Sequence, residues 1–77
     1  MLDRKRPLSN APQLKSLGKH IRALRIKKGI SQEALAGVSE IERSYMGAIE
    51  RGERNPSYDK LVSIAKALGI SVPELVK

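Results

Sequence analysis

From Ser31 to Gly52 the chain reads SQEALAGVSEIERSYMGAIERG. Ser31 is a natural N-cap, and Gln32 and Glu33 open a helix behind it. That helix is short, over about 32–38, with Leu35, Ala36 and Val38 expected to face inward. Ser39-Glu40 breaks it, and Ile41 is again apolar. A second helix is predicted to begin near Glu42 and to end before Gly52. Met46 and Ile49 are its inward residues, and Tyr45 is expected to be partly buried.

Working toward the N-terminus, Leu17, Ile21, Leu24 and Lys28 recur with a helical period. Gly29 supplies a stop, since it enters the left-handed region without a Cβ penalty. Lys27 and Lys28 lie in the last turn, where cations suit the helix dipole. These signals predict a helix over 14–28. Residues 1–13 read as a flexible basic arm, because Pro7 and Pro12 interrupt any helix and Arg4-Lys5-Arg6 is a charged run.

Working toward the C-terminus, Gly52 to Pro56 is a loop, and Ser57 caps a helix whose apolar face is Leu61, Ile64, Ala65 and Leu68. Gly69 stops it. Ser71-Val72-Pro73-Glu74 has the form of a capping box with Pro in the first turn, so a short fifth helix follows. No segment carries a strand signal. The expected fold is all-α, a five-helix bundle over residues 14–77.

The 77 residues contain no cysteine and one histidine, His20. A disulfide, a Cys-based zinc site and a multi-His metal site are thereby excluded. His20 has no acid–base partner in sequence, and the acids form no ligand pattern. Nothing resembles a nucleophile motif or a phosphate-cradling glycine loop. The chain is expected to be no enzyme and to need no cofactor. Apolar runs fall well short of the roughly 18 residues of a membrane span. The N-terminus lacks the apolar stretch of a signal peptide, so the expected location is the cytoplasm.

Net charge is +7, a balance that suits a polyanionic partner. It is unevenly placed. Residues 1–30 hold nine Lys/Arg and one acid, whereas residues 31–77 hold six Lys/Arg and seven acids. Two short helices joined as tightly as those of 31–52 suit a helix-turn-helix, whose second helix enters the major groove of DNA. Only polar residues at the N-terminal end of that helix reach base edges. Arg43 can bond guanine bidentately, and Ser44 can bond either base type. Gly47 and Ala48 are expected on the outer side, where small residues permit close approach. Glu42 can accept a bond from cytosine.

Residues 18–76 resemble the phage repressor and Cro class of helix-turn-helix domains. The resemblance rests on SQEALA at 31–36 and SYMGAIERGERNPS at 44–57. The run with Arg43, Tyr45 and Ile49-Glu50-Arg51-Gly52 also looks like the controller proteins of restriction–modification systems. The resemblance implies a repressor-like bundle and sequence-specific binding of double-stranded DNA by a homodimer on a two-fold operator. It implies base contacts at Arg43 and Ser44; Gly47 and Ala48 are read as further base contacts from their expected outer place, and Glu42, which departs from the short N-cap usual in the family, is a candidate base contact through its carboxylate. Backbone or supporting contacts would come from Gln32, Tyr45, Arg54 and Asn55, with Gln32 also bracing the recognition helix. Arg25 and Glu50 match a buried ion pair of the family. Glu40 stands where the family's turn usually has Gly or Asn; a glutamate there is strained if φ is positive.

Ile70, Val72, Leu75 and Val76 cluster apolar side chains near the C-terminus and are the expected dimer surface. An antitoxin-like or adaptor module with the same fold is the alternative, and RNA polymerase or a toxin protein is a further candidate partner. Single-stranded nucleic acid is disfavoured, because Tyr45 and Tyr58 are the only aromatics available for stacking.

Overall fold

The computed structural model describes residues 11–77. The expectation of a flexible arm falls mainly on residues 1–10, outside the described residues. Five helices follow: α1 (Pro12–Lys28), α2 (Gln32–Val38), α3 (Arg43–Glu50), α4 (Tyr58–Leu68) and α5 (Val72–Val76). The fold is all-α, as expected. Among the described residues no helix is long and apolar enough to cross a membrane.

Helix starts follow from local chemistry. The hydroxyl of Ser31 accepts from the Ala34 amide at 3.0 Å, and that of Ser57 from the Lys60 amide at 3.3 Å. At α5 the box is complete: Ser71 accepts from the Glu74 amide, and Glu74 Oε1 accepts from the Ser71 amide at 3.0 Å. Each cap satisfies amides that have no partner inside the helix. Pro12 corrects an expectation. It opens α1 two residues earlier than Leu14 rather than interrupting it. In the first turn its missing N–H is not needed and its fixed φ suits the helix.

Helix ends share one device. At the ends of α1 to α4 one residue turns left-handed (the cap itself, Gly29 and Gly69, in α1 and α4, and the residue after it, Glu40 and Gly52, in α2 and α3), and amides there reach back to the final carbonyls. At the end of α2 these bonds are Ile41 N to Ala36 O at 2.9 Å and Glu40 N to Gly37 O at 3.2 Å. Three of the four left-handed positions are glycine. The fourth is Glu40, at φ 56°, so this turn stores the strain that its sequence suggested.

The core draws on every helix. Ile21, Leu35, Met46, Ile49, Ile64 and Leu75 are its largest fully buried side chains. Each contributes about 1.5–3 kcal/mol relative to exposure, against a chain entropy that leaves small domains little margin. Two expectations fail here. Val38 is 70% exposed, because Ile41 folds back over Ala36 and closes that end of α2 instead. Leu75 is fully buried, because α5 packs across α1 and α4. It is therefore unavailable to a partner subunit.

Candidate nucleic-acid interface

The helix α3 has two unlike halves. Its leading residues Glu42, Arg43 and Ser44 are exposed, whereas Met46 to Glu50 are all buried. The buried half is anchored by charge. Arg25 of α1 donates from Nε to Glu50 Oε2 at 2.8 Å and from Nη2 to Oε1 at 3.0 Å. Its Nη1 also donates to the Ile30 carbonyl at 3.1 Å. Gln32, the first residue of α2, donates from Nε2 to Glu50 Oε1 at 3.1 Å. The side chains of Arg25 and Glu50 keep only 12% and 3% of their exposure.

A carboxylate so deeply buried is tolerable only with such partners. The bonds to Glu50 hold the Arg25 guanidinium above its ordinary pKa and outweigh the opposing effect of burial. One acidic side chain thus joins α1, α2 and α3 and fixes the angle at which α3 leaves the body.

Backbone contact reinforces it. Gly18 of α1 lies against the carbonyls of Ile49 and Glu50 so closely that no Cβ would fit. No linear motif signals this role, which arises only where α1 and α3 cross.

The exposed half is organised too. Glu42 takes the N-cap position in extended conformation (ψ 139°) but makes no side-chain cap. Its Oε1 instead accepts from the Ser44 hydroxyl at 3.0 Å. A shallow cleft beside α3 is lined by Glu42, Ser44, Tyr45, Ala48, Arg54 and Lys60. Tyr45 is half-buried, and the Lys60 ammonium lies 5.1 Å from its ring centroid, a cation–π contact. Lys60 belongs to α4, fifteen positions along the chain, and only the fold brings it here. Arg54 and Asn55 are both exposed in the following loop.

Gly47 and Ala48 require correction. Both are buried rather than outward-facing. Gly47 lies beneath Gln32 and Arg51; a Cβ there would be 3.2 Å from Gln32 Oε1 and 3.1 Å from Arg51 Nη1. Ala48, 9% exposed, lies on the floor of the cleft. Elsewhere, His20 Nε2 bonds the Glu74 carbonyl at 3.0 Å and links α1 to α5. Among the described residues no cluster of His, Cys, Asp or Glu could hold a metal ion.

A bracing helix, a tight turn and a second helix with a polar, exposed leading end define a helix-turn-helix domain. The helix-turn-helix family model matches residues 21–75. The chain belongs to that family, in its repressor and Cro type, and is a non-catalytic, sequence-specific DNA-binding regulator.

Three relatives mark its place in the family. It is 43% identical over 60 residues to control protein C.SmaI of Serratia marcescens, covering 78% of this chain and 71% of that protein. Among solved structures, the restriction–modification controller protein C.AhdI from Aeromonas hydrophila superposes with a TM-score of 0.83 at 45% identity. That match covers 84% of this chain and 98% of the other. The biofilm regulator SinR, solved in complex with DNA, matches with a TM-score of 0.75 at 34% identity over 79% of this chain and 98% of its own.

Proposed function

We propose that the protein acts in the cytoplasm as a homodimer and lays one α3 into the major groove of each half of a two-fold symmetric operator. One observation carries this reading: α3 exposes Glu42, Arg43 and Ser44 at its leading end while Glu50 anchors its other end. Residues at the leading end of a recognition helix are those that reach base edges. Arg43 reads guanine through its two parallel donors. Tyr45, Arg54 and Asn55 contact the backbone on either side. Gln32 spends an amide donor on Glu50 and braces α3 from a helix start, where phosphate is also favoured.

Half-sites one helical turn apart, about 34 Å, require a two-fold pair of subunits. Val76, 48% exposed, with half-buried Ile70 and Val72, forms the dimer surface. Similarity to C.SmaI and C.AhdI supports control of restriction–modification genes as the regulated process.

Selection of bound duplexes from a random pool at near-physiological salt tests the reading. A two-fold symmetric motif is expected. Absence of any enriched motif, with only weak salt-sensitive binding, would refute it and favour a protein-interaction module.

A further inference from the structure

We propose that Glu42 is a specificity-determining residue that selects cytosine in each half-site, and that Ser44 is its positioning residue rather than a base reader. The inference rests on the assignment of α3 as the DNA-facing helix and adds to it the identity of one base.

The geometry is specific. Glu42 takes the N-cap position of α3, yet its side chain makes no bond to the helix amides. Among the described residues it forms no salt bridge. The bond it receives from the Ser44 hydroxyl, 3.0 Å to Oε1, occupies one carboxylate oxygen. Oε2 is left free at the leading end of the helix. A hydroxyl has one proton to give; Ser44 gives it to Glu42 and has none left for a base acceptor.

A carboxylate is acceptor-only. Among phosphates it is repelled unless a donor meets it. In the major groove guanine shows two acceptors, and thymine shows an acceptor and a methyl group. Adenine pairs its amino donor with the N7 acceptor, which would face a carboxylate lone pair. Cytosine shows its N4 amino donor without that neighbour. An oriented carboxylate at this place therefore fits cytosine and penalises the other three.

The test is duplex selection with the wild-type protein, Glu42→Gln, Ser44→Ala and Ser44→Thr. The Glu42 side chain caps no amide, so the variants are expected to melt with the wild type. The wild-type motif should contain one cytosine per half-site preferred by roughly tenfold, the usual effect of one mismatched pair. Glutamine both donates and accepts and matches adenine bidentately. Glu42→Gln should therefore move the preference at that single position from cytosine to adenine. Ser44→Ala should weaken the preference at the same position, and Ser44→Thr should restore it. An unchanged motif with Glu42→Gln would overturn the role of Glu42. Loss of preference at a different position with Ser44→Ala would show that Ser44 reads its own base and overturn its positioning role. Absence of any wild-type motif would refute the underlying DNA reading itself, and is distinguishable from both.

Discussion

Gly18 and Glu50 meet backbone to backbone: a Cβ on Gly18 would collide with the Glu50 carbonyl and come within 2.5 Å of the Ile49 carbonyl oxygen. The same Glu50 is gripped through its side chain by Arg25. The trailing end of α3 is thus held twice by α1, once by shape and once by charge. This double grip sets where the leading end, with Arg43, emerges.

Gly18→Ala tests the shape component. The colliding atoms are backbone, so α1 and α3 must separate. A loss of about 1–3 kcal/mol is expected, as for overpacked cores, read as a lower denaturant midpoint. Unchanged stability would mean that the helices do not approach this closely in solution.

Arg25→Ala tests the charge component. It leaves a buried carboxylate with only Gln32 as a side-chain partner. Breaking such a pair costs about 3–5 kcal/mol. Folding stability should fall sharply, while the sequence preference of the molecules that remain folded is unchanged. An unaltered melting temperature would contradict the burial of the pair.

Glu40→Gly should stabilise the fold. A non-glycine residue in the left-handed region costs about 1–2 kcal/mol, and glycine returns part of that through its freer unfolded chain. A net gain of about 0.5–1 kcal/mol remains, checked by chemical denaturation. A loss would show that the Glu40 side chain makes a compensating contact.

How much of this was legible in the chain depends on the range of the interaction. The caps at Ser31, Ser57 and Ser71 were readable because a side-chain oxygen and its amide lie three residues apart. The left-handed strain at Glu40 was legible only through the family resemblance, which usually has Gly or Asn at that turn; the sequence alone does not fix φ there. Arg25 and Glu50 lie 25 positions apart; no periodicity pairs them, and only family resemblance suggested it. The close approach at Gly18, the place of Lys60 over Tyr45, and the burial of Leu75, Gly47 and Ala48 depend on how helices cross. The apolarity of Val38 does not by itself make it inward-facing, because Ile41 fills that place.

The capping box of α5 carries a pH dependence. Bonds from the backbone and hydroxyl of Ser71 hold the Glu74 carboxyl below the ordinary glutamate range. Its folded pKa is lower than its unfolded one, so its contribution is present above the unfolded value and is lost as pH falls through the folded one. The stability difference between wild type and Glu74→Gln should be constant near neutrality and shrink in acid. A difference that persists unchanged at low pH would contradict the box.

Sequence reading by α3 rests on its exposed leading end. Its most direct test is a titration by fluorescence anisotropy of the selected duplex and a scrambled duplex, between 50 and 200 mM salt, with the wild type and Arg43→Ala; that range spans about 10³–10⁵ in affinity for a protein with six to ten phosphate contacts. Binding should weaken steeply with salt on both duplexes. The selected site should be bound at least about 10³-fold more tightly than the scrambled one. Arg43→Ala should lose about 1–3 kcal/mol on the selected site and little on the scrambled one. Equal affinity for the two duplexes, or an equal loss on both with Arg43→Ala, would contradict sequence reading by this helix.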